Sequence, residues 1–155
     1  MEMIWRSFDL LSRDQLYELL RIRSDIFVVE QQSPYCDVDG LDREALHLLA
    51  YDRGSEFGGA RPLAGYLRLL PPIMAGPAPV LGRIAVRPAF REQGYGRAMV
   101  QEGLSEVERR FRRQAIKLSA QTHLCTFYEA FGFQSNSPPY DDHGVPHVDM
   151  IRPAG

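Results

Sequence analysis

What this 155-residue chain lacks narrows its possible functions before any motif is read. It has only two cysteines, Cys36 and Cys125, and no paired CxxC spacing. Neither a disulfide framework nor a cysteine zinc site is indicated, and a reducing cytoplasm fits best. Positive charge is not in surplus: the formal net charge is -2, which argues against a surface built to neutralise the phosphates of duplex nucleic acid. No apolar run approaches the roughly 20 residues that span a bilayer, and no long apolar stretch follows a basic region near the start. The expectation is a soluble, cytoplasmic protein with no membrane and no nucleic-acid partner. No internal repeat or low-complexity tract is evident.

What is present suits one globular domain over residues 1–155, since 45% of residues are hydrophobic and 25% charged. EMIWRSF reads as a first strand, and Ser12 with Gln15 has the spacing of a capping box. A helix should follow, with Leu16, Leu19, Leu20, Ile26 and Phe27 on one face. Arg23 interrupts that face and needs a polar outlet. QQSPYCDVDGLD has the composition of a loop, ALHLLAYD reads as a strand, RGSEFGGARP as a hairpin connection, and PLAGYLRLL as a third strand. After the Pro- and Gly-rich PPIMAGPAP, VLGRIAVRP is a fourth strand that ends before Pro88.

Val100, Leu104, Val107 and Phe111 then fall on a single helical face, with Glu106–Arg110 and Glu108–Arg112 supporting the exposed one. AIKLSAQ reads as a strand, HLCTFYEAF as a short helix stopped by Gly132, and PHVDMIRP as a final strand. The order implies an α/β fold, a mixed central β-sheet flanked by α-helices.

Between the fourth strand and the long helix stands REQGYGRAMV. A glycine-bearing helix start aims unpaired backbone N–H groups and the positive helix end at one spot, where anions bind. Gly94 and Gly96 remove side chains there, and Arg91 and Arg97 supply countercharge. The dinucleotide pattern GxGxxG fails because Met99 occupies the place of its third glycine, and no GK[ST] follows to make a P-loop. Taken alone, the pair is open between an anion site and a structural turn.

Arg91-x-x-Gly94-x-Gly96, after GRIAVRP and opening an amphipathic helix, resembles the acyl-CoA pyrophosphate loop of the GNAT N-acetyltransferases. YEAFGF, from Tyr128 to Phe133, resembles the second signature of that superfamily. FVVEQQSPYCDVDG, GRIAV, AQTHL, FYEAFGF and GVPH look like its ElaA-like branch, so the resemblance covers nearly the whole chain. It implies a GNAT-like fold in which the strand holding Ile84, Ala85 and Val86 splays from its neighbour and pairs with the pantetheine arm of acetyl-CoA. It implies that backbone amides from about Gln93 to Arg97, those of Gly94, Tyr95 and Gly96 included, receive the pyrophosphate, with Arg91 and Glu92 of the same loop also at the cofactor. Relatives often carry Asn seven positions before the tyrosine; this chain has Gln121, an amide of different reach.

The resemblance also implies transfer of an acetyl group to a primary amine by direct attack, with Tyr128 as general acid. A phenol suits that role, since its reference pKa of about 10 keeps it a neutral donor. Many relatives place a glutamate on the pantetheine-binding strand, but VLGRIAV offers Arg83. Glu30, His47 and His123 are the candidate bases, with ordered water as a further relay. Cys125, one turn before Tyr128, has no paired base and reads as a packing residue.

The acceptor, a small-molecule or peptide amine, is expected between two acidic loops, one with Asp37, Asp39 and Asp42, the other with Asp141, Asp142 and His143. The first cluster does not satisfy EF-hand spacing and no Cys or His cluster supports His143 with His147, so no metal is expected. The missing strand carboxylate keeps a second expectation open, a non-catalytic acyl-CoA-binding regulatory module. The identity of the acceptor and the oligomeric state are not legible in the sequence.

Overall fold

A computed structural model describes residues 1–54 and 61–155, so the central part of the expected RGSEFGGARP connection lies outside the described residues. Strand β1, Glu2–Ser7, leads to helix α1, Arg13–Arg23, which opens with the expected capping box: the Gln15 N–H donates to Ser12 Oγ and the Ser12 N–H to the Gln15 side chain. At Ser24–Glu30 the helix widens to a π-helical segment, with five-residue bonds from Gln31 N–H to Ile26 O and from Ser33 N–H to Val28 O. Strands β2, Leu46–Tyr51, and β3, Leu63–Leu70, follow, then β4, Val80–Val86.

Helix α2 spans Tyr95–Arg110, β5 Ile116–Gln121, and α3 only Cys125–Glu129. His123 and Leu124, expected as the start of that helix, belong with Thr122 to a tighter 3-10 turn. The chain ends with β6, Gln134–Ser135, β7, Tyr140–Asp142, and β8, Val145–Arg152. The second acidic stretch, read as a connection, is therefore partly strand.

One mixed eight-stranded sheet runs β1-β2-β3-β4-β5-β8-β6, with β7 also paired to β8. Strands β1 to β4 are antiparallel neighbours, β4 and β5 are parallel, and β8 runs antiparallel to β5. Leu19, Ile22 and Ile26 cover one face of the first half, over Leu49, Tyr66 and Ala85. Met99, Val100, Leu104 and Val107 of α2 cover the other, over Leu48, Leu67 and Leu81. Buried on both faces, β3 has no exposed position, as its near-continuous apolar sequence requires.

The α2 surface differs from the expected one. Glu106 lies seven residues after Met99 and three after Gly103, both buried, and is itself only 1% exposed. Arg109 and Arg110 reach back to its carboxylate, which neutralises a charge on the covered side. Arg112 stands beyond the helix end, and no ion pair with Glu108 forms among the described residues.

Candidate functional site

The site begins where the sheet stops pairing. Strands β4 and β5 share a single register pair, Val80 with Lys117, fixed by the Lys117 N–H donating to Pro79 O at 3.0 Å. Beyond it they part. On its other edge β4 carries a bulge: Tyr66 faces Ala85 and Arg68 faces Gly82, so Leu67 of β3 stands opposite both Arg83 and Ile84. Arg83 sits at φ 51°, and the extra residue turns the strand away from regular pairing.

A cavity of about 190 Å³ opens at this divergence. Gly82, Arg83 and Ile84 line one side, Leu118, Ser119 and Gln121 the other, and Leu124 and Tyr128 join them from α3 and the turn before it. Phe27, Ser33 and Tyr35 approach from the π-helical segment and its following loop, and Asp142, His143 and His147 from the last hairpin.

At the far end of β4 the chain makes a turn with two left-handed residues, Glu92 at φ 62° and Gly94 at φ 83°. Alternation of this kind points successive amides into one concavity. Gly94 is the residue before α2, and its carbonyl takes the first helical bond, from the Ala98 N–H at 3.0 Å. The N–H groups of Gly94, Tyr95, Gly96 and Arg97 make no hydrogen bond among the described residues.

A Cβ on Gly94 would meet nothing within 4 Å, and one on Gly96 would make ordinary 3.9 Å contacts with Phe127 and Val86. Tyr95 anchors this start from beneath, edge-on to Phe90 and donating its hydroxyl to Asp52 at 2.8 Å. Side-chain charge around the amides is partly spoken for. Arg91 pairs with Glu30 at 2.9 Å and donates to Val86 O, while Arg97 lies over the Phe131 ring. Gln93 donates its side-chain amide to Ala89 O.

Of the four residues expected as acid or base, the cavity takes in Tyr128 alone. Its ring packs edge-on to Phe127 and Phe133, and its hydroxyl makes no hydrogen bond among the described residues. Burial pushes the Tyr128 phenol up to about 12. His47 is fully buried, with Nδ1 at 2.8 Å from the Tyr66 hydroxyl and Nε2 at 2.9 Å from Asp42 O, so it supports the interior rather than facing the cavity. Burial, first of all, lowers its pKa. Glu30 is held by Arg91 outside the cavity, and His123 is exposed and does not line it.

The first acidic loop corrects the expectation of an amine attractor. Asp37 and Asp42 are the polar outlet that Arg23 needs, at 2.7 and 2.6 Å, and Arg68 of β3 binds Asp39 at 2.6 Å and Asp42 at 2.9 Å. Arg83 closes the network on Asp37 at 2.7 Å. Burial opposes ionisation of Asp42, but hydrogen bonds from and attraction to Arg23 and Arg68 outweigh it and hold the carboxyl below the usual range. Asp39 is likewise depressed: burial is outweighed by Arg68 and the Leu41 N–H. Three arginines balance three aspartates, so the loop is a braced wall with no spare charge.

The second stretch does reach the cavity. Asp142 accepts from His143 Nδ1 at 2.8 Å, and the His143 ring stacks on Tyr35 with centroids 5.0 Å apart. Ser33, 2% exposed, donates to His143 O at 2.7 Å. Sequence reasoning named neither Ser33 nor Tyr35 individually. Alternation along β8, which puts Val145, His147 and Asp149 on one face and Val148 and Met150 in the core, is the signal that points to His147. Among the described residues no group of three or more His, Cys, Asp or Glu could hold a metal ion, and no helix is long and apolar enough to cross a membrane.

Comparison with known proteins places this geometry. The family model described as an acetyltransferase (GNAT) domain matches residues 40–152. A UPF0039 protein of Synechocystis sp. is 37% identical over 95% of this chain and 92% of its own length. The crystal structure of an acyl-CoA N-acyltransferase from Pseudomonas aeruginosa superposes with a TM-score of 0.88 at 34% identity, covering 98% of this chain and 99% of that one. The crystal structure of Escherichia coli ElaA does so with a TM-score of 0.87 at 33% identity, over 97% and 98%.

Proposed function

Because this chain belongs to the GNAT acetyltransferases, and is thus an acyltransferase, we propose that it moves the acetyl group of acetyl-CoA to a primary amine by direct attack on the thioester. The observation that carries the reading is a conjunction: β4 leaves β5 after one pair, and the same strand then runs into the unpaired amides at the start of α2. The free edge from Gly82 to Val86, Ile84 and Ala85 included, offers peptide groups to the two amides of a pantetheine arm. Diphosphate would sit on the amides from about Gln93 to Arg97, where backbone dipoles act without needing many side-chain charges. Gln121 and Tyr128 then flank the thioester.

In the transfer, the amine nitrogen forms a bond to the acetyl carbon and the carbon–sulfur bond breaks. Two protons leave an incoming ammonium, one before attack and one as the adduct collapses. The Tyr128 phenol gives its proton to sulfur and regains one from the collapsing adduct through water, which leaves one net proton for a base and then for solvent. Because burial keeps Tyr128 neutral across the working range, it can donate without prior titration.

The test is release of free thiol from acetyl-CoA in the presence of a panel of primary amines, with the acetylated product identified by mass. Amine-dependent release supports transfer. Coenzyme A uptake without it favours the second reading, a non-catalytic acyl-CoA-binding module, for which Arg83 standing where a strand carboxylate would act is the favouring observation. No uptake by folded protein overturns both.

A further inference from the structure

We propose that His147 Nε2 is the proton acceptor for the amine, a role resting on the transfer reading above. The argument starts from a tautomer. His147 Nδ1 lies 2.8 Å from the backbone carbonyl of Val145, and a carbonyl only accepts, so Nδ1 carries the hydrogen. In the neutral ring the lone pair is then on Nε2, which makes no hydrogen bond among the described residues. The ring lines the cavity that also holds Tyr128, and only 15% of its side chain is exposed. It stacks on Tyr140 of β7 at 6.2 Å, whose own hydroxyl is held between Ser119 and Asp149, so the imidazole plane is fixed.

A carboxylate stands beside the ring, with Asp142 Oδ2 4.0 Å from Nδ1. The other titratable groups facing His147 are Tyr140 and Asp149 beside it, His143 in the adjoining turn, Tyr128 from α3, and Tyr35, Arg68 and Arg83 across the cavity. The two arginines are tied to Asp37, Asp39 and Asp42. Opposite His147 on β5 is the neutral Gln121. Of the residues expected as bases, His47 uses both nitrogens, Glu30 is paired with Arg91 and His123 is outside, while β4 supplies no carboxylate. His143 also lines the cavity with Nδ1 on Asp142, but 58% of its side chain is exposed, so His147 is the sheltered imidazole of the two.

The step balances simply. An acceptor ammonium gives one proton to Nε2, the neutral amine attacks, and the imidazolium returns the proton to solvent after products leave.

His147→Asn tests it, because the asparagine amide can still donate to Val145 O while nothing replaces Nε2. For strongly basic amines at neutral pH, kcat/KM should fall by about 10²-fold or more, with coenzyme A affinity unchanged by calorimetry. The loss should shrink as pH rises or as weakly basic amines are used, since solvent then supplies the neutral nucleophile. Nitrogen NMR of the folded wild type should show His147 as the Nδ1–H tautomer. An equal loss for all amines at all pH values, no loss, or an Nε2–H tautomer overturns the assignment. A wild type that takes up coenzyme A but acetylates no amine overturns the transfer reading itself, whereas amine-dependent wild-type turnover with an unaltered variant profile overturns only the base.

Discussion

Ser33 and His143, 110 positions apart, are joined by a 2.7 Å hydrogen bond from a nearly buried hydroxyl to a backbone carbonyl. With the Tyr35–His143 stack it clasps the loop after the π-helical segment to the last hairpin across the mouth of the cavity. Ser33→Ala removes a bond worth about 1 kcal/mol and should raise KM for the amine about fivefold. Coenzyme A affinity, read by calorimetry, should stay within twofold because the amide turn at Gly94 is on another element.

On the proposed transfer, Tyr128→Phe should lower kcat by about 10²-fold while coenzyme A affinity barely changes, since it removes only the proposed proton donor. In that proposed role the working form is the protonated phenol. With its titration pushed up to about 12, the wild-type rate should show no alkaline fall from this group below about pH 10. A steady-state pH profile of both proteins checks this, and a wild-type descending limb near neutrality that vanishes in the phenylalanine variant would contradict it.

Arg23→Met should cost about 3 kcal/mol of unfolding free energy in urea at neutral pH, because the buried Asp37 and Asp42 each lose one of two cations and keep only Arg83 and Arg68. The pH dependence follows from the depressed carboxyls. Asp39 and Asp42 titrate lower in the folded protein than unfolded, so their stabilisation is full above about pH 4 and is lost as pH falls through the folded values. The wild type should lose stability steeply in that acid range and the variant less so.

The glycine pair separates backbone need from ligand need. Gly94→Ala forces a side chain to φ 83° and should cost about 1 kcal/mol of stability as well as coenzyme A affinity. Gly96→Ala sits inside a helix with room for its methyl, so stability should hold or rise by up to about 1 kcal/mol. Weakened coenzyme A uptake in this second variant, measured by calorimetry beside thermal melts, reports the ligand alone; unchanged uptake would mean the amides are not approached closely.

Local rules explain what was legible in the sequence. The Ser12–Gln15 box, the end of β4 before Pro88 and the start of α2 after Gly94 depend on residues within a few positions of one another. The need of Arg23 for a polar outlet was also readable from helical spacing, although its partners were not. Asp37 and Asp42 reach it through the return of a loop, and Arg68 and Arg83 through strand pairing, so a stretch that reads as free acid is in fact neutralised. Glu106 was misread because its two arginines follow at helical spacing and suggest a solvated pair; the buried neighbours Met99 and Gly103 decide otherwise.

At the candidate site the motif residues Gly94, Gly96 and Tyr128 were visible as a resemblance, but His47 was not distinguishable from a cavity-facing histidine until Tyr66 and Asp42 were seen to hold it. His147 was hidden by the same limit. Its relevant property is which nitrogen keeps its proton, and that is set by the carbonyl of Val145 in the folded strand.

The single rung between Val80 and Lys117 makes the sheet two leaves hinged at one end. One leaf is β1 to β4 and the other β5 to β8, joined by that rung, by side-chain packing and by the Ser33–His143 clasp at the mouth. Hydrogen exchange should therefore find two protected blocks that open independently in the empty protein, and a molecule bridging the seam would fuse them into one.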